Sequence, residues 1–400
     1  MHLSKGGALK NFDSVAFAPD NVRNIERKGE QSVKVPLVDL KAGFEPIKER
    51  FFEGVRAALD SMQLFLGPNI RALEEEFARF CGARHAMGTS CGTSALHLSL
   101  LATGVGPGDE VIIPSYSFYA TAEAVVHAGA TPVFADIDPK TLCLDPADVQ
   151  RQITPRTRAI MPVHFAGQTA DMKALAQIAH KHNLRLIEDA CQAHGAACRG
   201  VRAGALGHIA GFSFYFTKNM GGYGEGGMVT TSDDAFAERV RLYRHHGHVG
   251  KFDHEVIGYN YRMDELQAVA LRLRLERLAA NNESRRRAAA LYTAALKDIK
   301  QLKLPAEAEG NYHVYHLYAI QCAQRDALND FLNANGVGTG IHYKNPIHLQ
   351  KPFRAAGWKK GDLPVTEGVT ERILSLPMYP ELTEEQVGYV AGQVREFFKT

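Results

Sequence analysis

The chain has 400 residues with Lys+Arg 46 against Asp+Glu 44, a formal net charge of +2, and 45% hydrophobic residues. That length suffices for about two domains with their own cores. The near balance of charge leaves no global field to gather a polyanion or a lipid surface, so neither nucleic acid nor a membrane is an expected partner.

Residues 1–33 are polar and aperiodic and read as a flexible N-terminal arm. They lack the apolar core of a secretory signal, and no later run approaches the ~18 apolar residues of a membrane span, so a cytoplasmic protein is expected. From Val35 onward, short apolar runs alternate with segments of helical period. Strands are expected at His85–Gly88, Glu110–Pro114, Pro132–Asp136, Ala159–His164, Arg185–Asp189, Gly211–Phe216 and Gly227–Thr231. Helices are expected between them at Ser94–Ala102, Thr121–Ala128, Asp171–His182 and Asp234–His245. Strands apolar on both faces and separated by helices predict a three-layer α/β domain, residues 34–272, around a mainly parallel seven-stranded sheet.

After Asn260 the texture changes. A long helix is expected from Asp264 to about Leu296, with Leu266, Val269, Leu273 and Leu278 at helical spacing. A strand at Tyr315–Cys322, a helix at Asp326–Asn335, an extended stretch at Thr339–Tyr343 and a final helix from Thr383 predict a smaller α+β domain, residues 273–400. The cysteines, Cys81, Cys91, Cys143, Cys191, Cys198 and Cys322, form no CxxC pair and read as reduced thiols, with neither a disulfide framework nor a metal site.

Three segments carry chemistry when taken together. In Ser213-Phe214-Tyr215-Phe216-Thr217-Lys218, a lysine leaves an apolar strand for the glycine-rich run Gly221–Gly227. In Leu186-Ile187-Glu188-Asp189, a strand ends in a carboxylate at the edge where open α/β sheets bind ligands. In Thr89-Ser90-Cys91-Gly92-Thr93-Ser94, a small-residue turn enters a helix whose free N–H groups and dipole favour a phosphate. Each has a bland alternative: a solvated lysine, a helix cap, an ordinary N-cap. Together they supply an amine, a partner for a protonated ring nitrogen and an anion seat, which is what pyridoxal phosphate (PLP) requires.

In these segments and in Val35–Lys41, Gly106–Ile112, Phe134–Asp138, Gly258–Met263 and Leu374–Met378, the chain resembles the DegT/StrS family of PLP-dependent nucleotide-sugar aminotransferases, of the fold-type I class. The resemblance implies roles residue by residue. Lys218 matches the Schiff-base lysine that also moves the substrate proton, Asp189 the carboxylate on the pyridinium nitrogen, and Gln192 the side chain on the ring O3′. Gly92, Thr93 and Ser213 match the phosphate cradle, and Phe118 the aromatic that stacks on the ring. Asn260 matches an asparagine reaching the cofactor of a neighbouring subunit, which implies a homodimer with shared sites. Tyr343 and His348, in Ile341–Leu349, match a segment bordering the sugar pocket and are candidate substrate contacts.

The implied reaction passes through pyridoxamine phosphate. An amine from L-glutamate goes to the C-3 or C-4 ketone of a nucleotide-linked keto-deoxysugar, for surface polysaccharide or natural-product glycosylation. Alternatives are transamination of a cyclitol ketone, or a non-catalytic regulatory relative. A dehydratase branch carries histidine at the lysine position, against which Lys218 argues. Phe216 and Cys191 depart from the family's usual proline and alanine, and the Cys191 thiol is a candidate for attack by thiol reagents.

Overall fold

Seven strands with few polar side chains form one sheet in the computed structural model, which describes residues 34–399; the expected arm at 1–33 lies outside the described residues. They are β1 (His85–Thr89), β2 (Glu110–Pro114), β3 (Thr131–Ala135), β4 (Thr157–Ile160), β5 (Arg185–Asp189), β6 (Ile209–Ser213) and β7 (Gly227–Thr231). Their spatial order is β1-β7-β6-β5-β4-β2-β3. Pairings from β6 across to β3 are parallel. Strand β7 runs antiparallel to both β6 and β1. Every residue of β2 and β7 is buried, so helices must cover both faces. The helix Gly92–Ala102 does so on one side, buried nearly all round, and Met172–His182 presents Leu175 and Ala179 on the other.

Two strands stop three or more residues short of the sequence reading. Strand β4 stops at Ile160 instead of reaching His164, because Pro162 cannot donate to a ladder and the chain then bends into a helical turn at Phe165–Gly167. Strand β6 stops at Ser213 instead of Phe216; Phe214 N still donates to Gly226 O, and a turn follows in which Lys218 N donates to Tyr215 O. Two helices before β1, Lys48–Ser61 and Pro68–Cys81, were not anticipated. The second carries a legible signature: Pro68 in its first turn, left-handed Gly82 at its end, and buried Ile70, Leu73, Phe77 and Cys81 at helical spacing.

The helix Glu265–Leu296 spans 32 residues and joins two cores. Its Ala268, Leu271 and Leu278 pack with Phe77, Phe212 and Phe214 of the large sheet's layer. Its Ala288, Tyr292 and Leu296 pack with Leu328, Leu374 and Val390. The expected domain boundary at 272/273 falls inside this helix. The second core holds the antiparallel pair Tyr318–Gln321 and Ile373–Leu376 and the helices Arg325–Ala334 and Glu384–Phe397. Thr339–Tyr343 forms no strand of its own; Gly340 alone bridges Ser375. All six cysteines are free.

Buried Asp136, just past β3, ties the C-terminal part to the sheet. It accepts from Val365 N at 2.9 Å, Thr366 N at 2.8 Å and Thr366 Oγ1 at 2.8 Å, capping the helix Pro364–Arg372. Hydrogen bonds to a charged acceptor contribute about 1.5–3 kcal/mol each before compensation. Asp136→Ala is therefore expected to lower the unfolding free energy by roughly 2–4 kcal/mol in denaturant titration.

Candidate active site

Strands β1, β5 and β6 run in the same direction, so their C-terminal ends meet at one edge of the sheet. There the chain leaves β1 through extended Cys91 into the helix Gly92–Ala102; Cys91 Sγ accepts from Ser94 N, and the N–H groups at Gly92 and Thr93 could seat an anion. Gly92 lies against Ser213 so closely that a Cβ on it would sit 2.6 Å from Ser213 Cβ and 3.2 Å from Cys191 Sγ. A side chain at position 92 would fill the cradle.

Asp189 closes β5 and is 3% exposed. Thr121 Oγ1 donates to its Oδ2 at 2.7 Å and Cys191 N to its Oδ1 at 3.2 Å. Thr121, in the first turn of the helix Ala120–His127, is a site residue that the sequence reading did not single out; its hydroxyl near the end of a loop was the available signal. Gln192 accepts from Ala166 N at Oε1 (2.8 Å), which fixes its amide, and donates from Nε2 to Tyr343 Oη (3.2 Å). The rings of Tyr343 and Phe118 lie 5.9 Å apart, and Phe118 is 54% exposed. Burial pushes the Tyr343 hydroxyl pKa up, reinforced by the charge of Asp189, so this hydroxyl keeps its proton at neutral pH.

Lys218 sits half-buried in the turn after β6. Burial pushes its ammonium down from the ordinary 10.5, opposed by Cys191 and Asp189. Around it stand histidines that stay neutral. Burial lowers His194 to about 3 and His342 to about 4 and holds His316 well below its usual value, with the charge of Lys218 adding to each. Both ring nitrogens of His194 lack a protein hydrogen-bond partner, and the ring lies 5.4 Å from Phe212 and 5.7 Å from Phe214. The Cys191 thiol is pushed well up, by burial first and Asp189 second, so it is a poor thiolate and not the reactive group expected from sequence.

A cavity of about 680 Å³ adjoins the lysine turn, lined by Tyr215, Thr217, His316, His342 and Lys344 among others. Asn260 is exposed and bridges His245, and the carbonyl of its neighbour Tyr261 accepts from Ser90 N. His348 does not reach the cavity. It is fully buried, with Nδ1 2.7 Å from Ser115 Oγ and Nε2 3.1 Å from Glu367 Oε1. Both ring nitrogens are engaged, so the expected substrate contact is corrected to a packed, satisfied histidine.

These features fit pyridoxal phosphate: a backbone cradle only glycine permits, a nearly dry carboxylate for the ring nitrogen, an amide and a protonated hydroxyl beside it, and a lysine held toward its neutral form. An α/β sheet with this arrangement at its C-terminal edge is what a PLP-dependent enzyme requires. The chain belongs to the DegT/DnrJ/EryC1/StrS aminotransferase family, whose model matches residues 45–395. A "Pleiotropic regulatory protein" of Geobacillus stearothermophilus is 44% identical over 92% of this chain and 99% of its own length. A UDP-N-acetyl-3-dehydro-alpha-D-glucosamine 3-aminotransferase of Acidithiobacillus ferrooxidans is 45% identical over 91% of this chain and 98% of its own. The crystal structure of S. venezuelae DesV in complex with a ketimine intermediate superposes with a TM-score of 0.90, at 42% identity, covering 92% of this chain and 99% of that one.

Two outcomes follow from the geometry. Gly92→Ala should weaken PLP binding roughly tenfold or more in an absorbance titration, since the added methyl has no room beside Ser213. Because the Lys218 pKa is lowered, the rate of cofactor attachment should rise with pH and level off below the pH at which a free lysine would, as stopped-flow absorbance will show.

Proposed function

We propose that the protein transfers an amino group from L-glutamate to the C-3 or C-4 ketone of a nucleotide-linked keto-deoxysugar, as a cytoplasmic homodimer with shared sites, in amino-sugar biosynthesis. The observation that carries the reading is the convergence of Lys218, Asp189 and the Gly92 cradle at one sheet edge. The relative from A. ferrooxidans, named for 3-amination of a UDP-sugar ketone, supports the substrate class. When bound, PLP supplies an electron sink that makes the proton on the substrate carbon removable.

The chain's residues then divide the work. The N–H groups at Gly92 and Thr93 and the Ser213 hydroxyl hold the phosphate, with Asn260 of a second copy closing the seat. Asp189 keeps the ring nitrogen protonated, because an adjacent opposite charge favours the charged form. Thr121 donates to Asp189 and so orients it. Gln192 hydrogen-bonds the ring oxygen, Phe118 covers the ring face, and Tyr343 closes the pocket above Gln192. With PLP bound, Lys218 would hold it through its amine and, once released, would take up and return the proton of the substrate carbon at Nζ. The cavity lined by Tyr215, His316 and His342 has room for part of the substrate, and among the described residues no carboxylate lines it that would repel an anionic nucleotide. The same reading divides the chain into a cofactor unit, 34–272, and a smaller unit, 273–400.

Asp189→Asn should retain PLP yet slow the proton shift roughly 100- to 1000-fold, as expected on removing one preorganised electrostatic partner. A near-normal rate in that variant contradicts its assignment. The substrate class is tested by loading the enzyme with PLP and L-glutamate, then adding UDP-, dTDP- and GDP-linked keto-sugars or keto-inosose and following decay of the pyridoxamine spectrum. Decay with a nucleotide keto-sugar supports the reading; decay with keto-inosose alone points to a cyclitol substrate. Stable spectra with all of them refute it.

A further inference from the structure

Strand β5 ends in two consecutive carboxylates, and strand geometry sends them to opposite faces. Asp189 faces the cofactor site. Glu188 lies on the other face, wholly buried, and the reaction just described does not use it. Its Oε1 accepts from Leu206 N at 2.8 Å and Gly207 N at 2.7 Å; its Oε2 accepts from Gly204 N at 2.9 Å and contacts His164 Nε2 at 2.9 Å. The His164 ring, also fully buried, takes a hydrogen bond at Nδ1 from Ala170 N at 3.2 Å. A backbone N–H can only donate, so Nδ1 is the bare nitrogen and Nε2 carries the proton given to Glu188. The pair is a neutral imidazole and an acceptor-only carboxylate with four donors.

The segment that holds this histidine reaches the cofactor site repeatedly. His164 N donates to Asp189 O at 3.0 Å, and Asp189 N donates to Pro162 O at 2.9 Å. Two residues on, Ala166 N donates to Gln192 Oε1. Gly167, at φ +101°, then passes so close to the C-terminal part that a Cβ would meet His316 N at 2.9 Å, and Val314 N donates to its carbonyl at 2.9 Å. One short stretch, 162–167, therefore sets the backbone of Asp189, the amide of Gln192 and the approach of the segment carrying His316. Within it, the side-chain lock to β5 is the His164–Glu188 hydrogen bond.

We propose that Glu188 and His164 are positioning residues which, from the far face of β5, fix the spacing between the two groups that grip the cofactor ring. The proposal rests on the reading that Asp189 and Gln192 hold PLP. Loss of the lock frees the 162–167 segment to shift, while the Gly92 cradle and Lys218 stay in place. Glu188→Gln sets an amide donor against N–H donors whichever way it is turned, so the amide cannot be satisfied as the carboxylate is. His164→Leu removes one donor and leaves the three backbone donors to Glu188. His164→Gln restores a donor toward Glu188 and an acceptor toward Ala170 on one side chain.

The experiment titrates wild type and these variants with PLP, reading the dissociation constant from protein fluorescence, the visible spectrum as a function of pH, and the melting of the cofactor-free protein. In Glu188→Gln and His164→Leu the dissociation constant should rise at least tenfold and the pH midpoint of the spectrum should move, with a cooperative melt retained. His164→Gln should recover most of the affinity. Binding by His164→Leu that is as tight as wild type, with an unchanged spectrum, overturns the proposal; so does equal impairment in His164→Gln and His164→Leu. If Glu188→Gln fails to fold, the two His164 variants decide alone. A wild type that takes up no PLP overturns the cofactor reading itself, an outcome distinct from any difference among the variants.

Discussion

A carboxylate held almost dry at the end of a parallel strand is the constraint around which this molecule is arranged. Leaving Asp189 buried without a positive partner would cost several kcal/mol, and the protein offsets part of that with the Thr121 hydroxyl and the Cys191 amide. What remains is an acceptor aimed at the sheet edge, ready for a cationic ring nitrogen. Lys218, the nearby cation, stands in the same pocket, where burial lowers its pKa and Cys191 and Asp189 oppose that shift.

The surrounding histidines serve the same electrostatic economy. His194 and His316 are buried, His342 is partly buried, and all three are neutral, so they add no fixed positive charge beside the lysine. An anion seat would come instead from backbone N–H groups at a helix start, which carry no titratable charge. A chain with a net charge of +2 can therefore hold a phosphate-bearing cofactor, and a nucleotide substrate after it, without a basic surface.

Much of this was legible in sequence because it follows from local pattern. The apolar runs of β2, β5 and β7, the glycine at a helix entrance and a carboxylate and a lysine at strand ends are all short-range signals. Strand ends were less legible, since β4 and β6 stop where Pro162 and the turn at Tyr215–Lys218 intervene, and only the assembled sheet shows that. Partners supplied from far along the chain were not legible. Thr121 meets Asp189, Ala166 meets Gln192, and His164 meets Glu188 only after the crossovers bring β2, β4 and β5 together. His348 misled for the same reason. Its motif pointed to the pocket, whereas Ser115 and Glu367, each distant in sequence, hold its ring in the core.

The claim that Asp189 keeps a bound ring nitrogen protonated is tested most directly by nitrogen NMR of the protein loaded with PLP labelled with ¹⁵N in the ring. The account predicts a pyridinium shift in the wild type that persists to alkaline pH and is lost in Asp189→Asn. A neutral-pyridine shift in the wild type at pH 7 would contradict it.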